Sequence, residues 1–170
     1  MTDLVPLSTQ PPAAVEALLD HAFGPDRRAR TAYTVRGAAR PIAALSFAAV
    51  EEGTLIGTIQ CWPVELAGDD GRFVPLVMIG PVAVAPARQQ GGIGRELMAA
   101  ALAAAAAEGL DGALMLIGDP EYYGRFFGFT AEATGAWQLP GPVERRRLLA
   151  RGGAVPHGAG MLGPAAAVVA

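Results

Sequence analysis

Three glycines at a change of pattern mark the stretch of this sequence best suited to chemistry. Residues Gly80–Arg95 read Gly-Pro-Val-Ala-Val-Ala-Pro-Ala-Arg-Gln-Gln-Gly-Gly-Ile-Gly-Arg and join a strand-like run to a helical one. Gly91, Gly92 and Gly94 can take backbone conformations closed to other residues and let a ligand approach the main chain closely. The turn opens into a helix whose first amides have no internal partner, so several N–H groups converge at the positive end of the helix dipole. That arrangement suits a diphosphate. Arg95, in the first turn, is disfavoured there by the dipole alone, and an anion bound nearby offsets the cost. Without a ligand, the same residues make no more than a tight strand–helix turn.

Two familiar phosphate loops can be tested on these residues. A Walker loop needs Gly-Lys-Ser/Thr, and all 13 basic residues here are arginine, so that reading fails. A dinucleotide-binding turn needs Gly-x-Gly-x-x-Gly directly after a strand. Here Gly92-x-Gly94 is followed by Leu97, six residues separate Val84 from Gly91, and only Asp119 could stand in for the ribose-binding acid. That reading survives weakly, as a nicotinamide-dependent oxidoreductase. A second feature lies upstream, where Gly80-Pro81 interrupts an apolar run. Proline cannot donate to a sheet ladder, so the pair predicts a bulge or a splay between strands. A splay would leave backbone groups of Val82 and Val84 open to an extended ligand. The alternative is that Pro81 merely breaks an edge strand.

The elements that must position this segment are legible on either side of it. Pro12–Phe23 reads as a helix with Val15, Leu18 and Leu19 at helical spacing, ended by Gly24-Pro25. Asp26–Arg40 holds five arginines and predicts a short helix and loop with a solvated charged face. Leu45–Val50, Thr54–Leu66 and Phe73–Val84 read as strands separated by the turn signals Glu51-Glu52-Gly53 and Gly68–Gly71. Their connections are too short for parallel crossovers, so an antiparallel meander is expected. Arg95–Glu108 then reads as a helix stopped by Gly109, and Ala113–Ile117 as a short buried strand. Strand, helix and strand over Val77–Ile117 make a βαβ unit with a parallel pair. Glu121–Phe127 predicts a further helix, Trp137–Leu139 and Arg147–Ala150 two short strands, and the tail from Gly152 little regular structure.

Composition narrows the classes. The chain has 170 residues, 52% hydrophobic and 17% charged, with a formal net charge of -3. This is a globular protein long enough for a real core, with no charge bias toward nucleic acid or an anionic membrane. Cys61 is the only cysteine, and His21 and His157 lie far apart, so no disulfide and no metal site is expected. The start Met1-Thr2-Asp3-Leu4 lacks the basic and apolar stretches of a signal peptide, and no apolar run reaches the ~20 residues of a membrane-spanning helix. A cytoplasmic protein of one domain is the expectation, with a core over about 1–151.

With these residues in place, the sequence resembles the GNAT superfamily of N-acetyltransferases. Its Gln/Arg-x-x-Gly-x-Gly/Ala signature is met by Gln89-Gln90-Gly91-Gly92-Ile93-Gly94 at a strand–helix junction. The later Gly118-Asp119-Pro120-Glu121-Tyr122-Tyr123-Gly124-Arg125-Phe126 is similar to a bacterial branch of the superfamily, and the resemblance is densest over Val77–Thr130. It implies an α+β (mixed α/β) fold, a curved mixed sheet with a meander, a βαβ unit and helices on both faces. It also implies acetyl-CoA as cosubstrate, with no metal. The backbone of Val82, Ala83 and Val84 would pair with the pantetheine arm, and Gln89, Gln90, Gly91, Gly92, Ile93, Gly94 and Arg95 would hold the diphosphate. Asp119 and Tyr123 would complete the cofactor site.

Such an enzyme transfers acetyl by direct attack of a neutral amine on the thioester. A backbone N–H at Val82 or Val84 can polarise the carbonyl. The leaving thiolate needs a weak acid, and tyrosine can supply the proton. Tyr123 is the first choice and Tyr122 the second, since counting from Asp119 favours Tyr123 while counting back from Gly128-Phe129 lands on Gly124. Phe73–Val84 holds no carboxylate, so Glu65 is the leading candidate base, ahead of Glu51 and Glu52. Water is the alternative. Trp62 and Phe23 are candidates to line an acceptor pocket or, more simply, core residues. The expected acceptor is a primary amine of a small molecule or a peptide; the alternative is a catalytically inactive acyl-CoA sensor of the same fold. A homodimer is left open by exposed edge strands.

Overall fold

The computed structural model describes residues 1–165. Eight strands and four α-helices follow one another among the described residues. They are β1 (Thr2–Pro6), α1 (Pro12–Phe23), α2 (Thr31–Arg36), β2 (Phe47–Glu51), β3 (Thr54–Gly68), β4 (Phe73–Val84), α3 (Ile93–Ala107), β5 (Leu114–Ile117), α4 (Pro120–Phe127), β6 (Trp137–Gln138), β7 (Leu148–Arg151) and β8 (Gly160–Pro164). The sheet is mixed, ordered β1-β2-β3-β4-β5-β7, with β8 paired to β3 and β6 to β8. The fold class read from the sequence is the one observed. The meander is antiparallel, and the βαβ unit closes on a parallel pair, Val77↔Leu114 and Met78↔Met115.

The chain divides into two compact units, and β3 and β4 run through both. The first comprises Met1–Arg28, Pro41–Cys61 and Ile79–Gly109. Here β2 pairs with β1 on one side and with the first half of β3 on the other, with a bulge between Ala49 and Val50. Helices cover both faces of this part of the sheet. Val15, Leu18 and Leu19 of α1 pack with Ala83, whereas Gly94 of α3 lies over the side chains of Val82 and Val84. Alternate residues of one strand thus face opposite helices, as strand geometry requires. The many alanines of α3 favour helix and keep its inner face slim, with Ile93, Leu97, Met98, Ala101 and Ala105 buried.

The second unit comprises Ala29–Arg40, Trp62–Met78 and the described chain from Leu110 onward. Trp62, Val64, Leu66, Leu76, Met78, Met115, Trp137, Leu148 and Leu162 form its core. The second half of β3 pairs antiparallel with β8, Val64↔Pro164 to Gly68↔Gly160, and β5 pairs antiparallel with β7.

The structure adds one strand that the sequence did not announce and corrects two expectations. The N-terminal segment forms β1, an edge strand whose pattern is hidden because three of its five residues are exposed. The region from Gly152 is not uniformly irregular: Gly160–Pro164 is a strand whose Leu162 is fully buried. The remainder of that expectation, residues 166–170, lies outside the described residues. The arginines of Asp26–Arg40 are not all solvated either. Arg27 is 1% exposed, its Nε donating to Asp20 Oδ1 at 2.8 Å and its guanidinium also paired with Glu16. Both carboxylates sit on α1 and remain half exposed, so the buried cation is neutralised from the rim.

Candidate active site

In the first unit, β4 passes through Gly80, which has a φ of +122° suited to glycine, and Pro81 before reaching Val84. The parallel ladder with β5 consists of Val77 and Met78 and stops short of this pair. After β4 the chain makes a 3-10 turn over Pro86–Arg88, held by Arg88 N donating to Ala85 O at 2.8 Å. Gly91 N then donates to Arg88 O at 3.2 Å, and Gln89 Nε2 donates to the Val84 carbonyl at 3.4 Å. Arg88 is anchored sideways by an ion pair with Glu51.

Gly92 is the N-cap of α3 in the left-handed conformation, φ +78°, where a side chain is strained. Its carbonyl accepts from Glu96 N at 3.1 Å, which begins the helical ladder. The amides of Ile93, Gly94 and Arg95 therefore belong to the first turn, where no helical carbonyl precedes them, and no side chain caps Gly92. A Cβ on Gly94 would stand 3.8 Å from Val84 Cγ2 and 3.9 Å from Val82 Cγ1. The helix N-terminus is thus set directly beside the end of β4, within one unit. Gly91, Gly92 and Arg95 are exposed, so this turn lies at the surface of the unit.

The second unit holds the tyrosines. Asp119 caps α4, its Oδ1 accepting from Glu121 N at 3.2 Å, and its carbonyl accepts from Tyr123 N at 2.9 Å. Tyr122 and Tyr123 are both half-buried, with rings meeting edge to face at 4.9 Å. Tyr122 also packs against Phe126 and Phe127, at 5.3 and 5.9 Å. Burial, aided by Tyr122 and Asp119 and opposed by Arg147, pushes the Tyr123 hydroxyl up to about 12. Gly118 explains why the ring fits. A Cβ there would come within 2.5 Å of Tyr123 Cε2, so only glycine leaves room for this rotamer. Glu121 is held down to about 2 by its hydrogen bond with Asp119, its own backbone and the Arg146 guanidinium.

The family model of the acetyltransferase (GNAT) family matches residues 13–129, well over half of the chain. This protein belongs to the GNAT family. A GNAT family acetyltransferase from Brucella melitensis, solved with acetyl-CoA, is similar at 27% identity with a TM-score of 0.57, covering 91% of this chain and 97% of its own. The Escherichia coli GNAT YhbS, solved with CoA, has the same fold at a TM-score of 0.70 and 22% identity, covering 95% of this chain and 87% of its own. The ribosomal-protein-S18-alanine N-acetyltransferase of E. coli shares the fold too, at a TM-score of 0.54, 19% identity and coverage of 88% and 90%. No curated protein matches the sequence.

Within this GNAT, the sequence-predicted residues fall into two groups. Val82, Ala83, Val84 and Gln89 to Arg95 lie together in the first unit, while Asp119, Tyr122, Tyr123 and Glu65 lie in the second. Asp119 spends its side chain on the α4 cap. Glu65 is half-buried on β3, level with Gly163 of β8. Glu51, the next candidate base, is paired with Arg88, and Glu52 sits in a turn with φ +50°. Trp62 is buried in the second core with the Arg36 guanidinium 3.9 Å over its ring, and Phe23 packs beside the α1 leucines. Sequence reasoning missed Gly118, whose contact with a ring five residues later is signalled only by its position just before the α4 cap.

Proposed function

We propose that this protein is an acetyl-CoA-dependent N-acetyltransferase that passes acetyl directly to a primary amine of a small molecule or a peptide. One observation carries the reading: the first turn of α3, entered through Gly91 and Gly92, stands beside Val82 and Val84 in a cradle that a residue much larger than alanine at Gly94 would fill. The B. melitensis relative bound to acetyl-CoA supports the same cosubstrate. The Gln90–Arg95 amides would bind the diphosphate, and the backbone of Val82 and Val84 would orient the acyl arm and donate to its carbonyl oxygen. The amine nitrogen forms its bond to the carbonyl carbon as the carbon–sulfur bond breaks; the nitrogen gives up its extra proton to water or Glu65, and the sulfur takes a proton from Tyr123, which regains one from water. With its pKa near 12, Tyr123 keeps that proton across the neutral range. It holds it more firmly than a free thiol does, at a pKa of ~8.5. Its contribution is therefore a hydrogen bond to the departing sulfur that becomes full transfer as the thiolate grows basic in dry surroundings.

Isothermal titration with acetyl-CoA tests this. Saturable binding by the wild type that is lost in Gly94→Trp and kept in Gly94→Ala, both folded by circular dichroism, is the expected result. No binding by the wild type would refute it. A second reading, a GNAT fold that binds acyl-CoA without turning it over, is favoured by the lack of any carboxylate on β4. It predicts tight binding with no thiol release with any amine.

A further inference from the structure

The glycine turn between β4 and α3 is tied to the β2–β3 hairpin, and the proposed reaction gives that tie no task. Glu51 ends β2, paired with Thr2 of β1 on one side and Thr54 of β3 on the other. The two residues between Glu51 and Thr54 both lie in the left-handed region, Glu52 at φ +50° and Gly53 at φ +78°. Such a two-residue turn matches the twist of a hairpin, so the Glu51 backbone is firmly held. Its Oε2 accepts from Arg88 Nη1, and its Oε1 stands 4.0 Å from the Met1 ammonium. The glycine turn is the opposite case. Gln89, Gln90, Gly91 and Gly92 are all exposed, and glycine has the most freedom to lose on ordering. The hairpin fixes this turn at both ends. Before it, Ala85 N donates to Ile56 O at 2.8 Å, and Arg88 supplies both the ion pair with Glu51 and the carbonyl that accepts from Gly91 N at 3.2 Å. After it, a Cβ on Gly57 would come within 3.1 Å of the Ile93 and Leu97 side chains, so the start of α3 rests directly on β3.

We propose that Glu51 is a positioning residue for acetyl-CoA. Through Arg88 it holds the Gln89–Gly92 turn in the form that receives the diphosphate, and it touches no part of the cosubstrate itself. The inference rests on the acetyl-CoA reading above. Arg88 is correspondingly a strut rather than a phosphate ligand, because its guanidinium is engaged by Glu51. The cost of ordering a flexible loop is subtracted from affinity, so a loop already held in its bound form binds more tightly. The two side chains of the pair are 40% and 24% exposed, and ion pairs in such surroundings add little to global stability. The effect of the pair therefore falls on cosubstrate binding rather than on folding.

A double-mutant cycle of Glu51→Ala and Arg88→Ala, read by isothermal titration with acetyl-CoA, tests this. Each single substitution is expected to raise the Kd about ten-fold, through the lost preorganisation of the turn. The melting temperature should stay at the wild-type value, as should kcat at saturating acetyl-CoA for any amine the wild type acetylates. Both alanines together should cost no more than one, since each removes the same contact. Several results would overturn the assignment. Wild-type Kd values in both variants, or losses that multiply in the double variant, would show that the pair does not act as a unit on binding. A tighter Kd in Glu51→Ala beside a weaker one in Arg88→Ala would make Arg88 itself a phosphate ligand. Melting temperatures that fall in step with affinity would reduce the pair to a brace of the fold. A loss of kcat at saturation in Glu51→Ala would place Glu51 in the chemistry instead. Failure of the wild type to bind acetyl-CoA, seen before any variant is made, removes the reading on which the pair depends.

Discussion

Tyr123 and Gly118 carry the proposed proton donor, which must be both placed and kept protonated. The tyrosine is held by the α4 cap at Asp119 and by the ring of Tyr122, and its ring lies where any Cβ on residue 118 would clash. Replacing Tyr123 by phenylalanine should lower kcat by about 10²-fold or more and change acetyl-CoA affinity far less. Steady-state thiol release together with calorimetry reads both quantities. Gly118→Ala should reproduce much of that loss in kcat without removing the hydroxyl, because the ring must move. A Gly118→Ala enzyme with full kcat would show that ring placement does not limit the reaction.

Elements are tied by contacts that their own patterns do not announce. Helix α1 is braced at its end by Arg27, which returns from the following turn to Asp20 and Glu16. Arg27→Met removes the buried charge and leaves two carboxylates already half in water, so a loss on the order of 2 kcal/mol is expected rather than the larger penalty of an orphaned buried ion. Urea denaturation would measure it. Strand β8 secures the far half of β3 and pairs with β6 at Trp137↔Gly160. A chain ending at Arg151 exposes the edge of β3 and loses the fully buried Leu162. Its melting temperature should fall by about 10 °C, corresponding to about 3–5 kcal/mol. An unchanged melting curve would mean that β8 adds nothing to the fold.

The whole molecule should be sensitive to alkali. Burial raises the Cys61 thiol from 9.0 to about 12, and Tyr123 rises from 10.0 to about 12. Both groups hold their proton more tightly folded than unfolded. The stability they contribute is complete below pH 9 and is lost as pH rises toward 12, because the unfolded chain ionises first. Thermal melts from pH 8 to 12 should show this decline, and Tyr123→Phe should flatten part of it. Native Cys61 should also resist thiol reagents until the protein unfolds, since it is buried and its thiolate is suppressed.

Local chemistry determined what the sequence could tell. The glycines between β4 and α3, the cap and alanines of the helices, and the turn signals between strands act over a few residues, so α1 and β4 were legible to the residue and the strand–helix turn to its three glycines. The parallel pairing of β4 and β5 followed as well, because a crossover helix leaves little choice. Tertiary structure alone decided what depends on distant partners. Arg27 reads as a surface charge until Glu16 and Asp20 enclose it, and Gly160–Pro164 reads as loop until β3 and β6 offer it a ladder. Glu51 reads as a free base until Arg88 takes it.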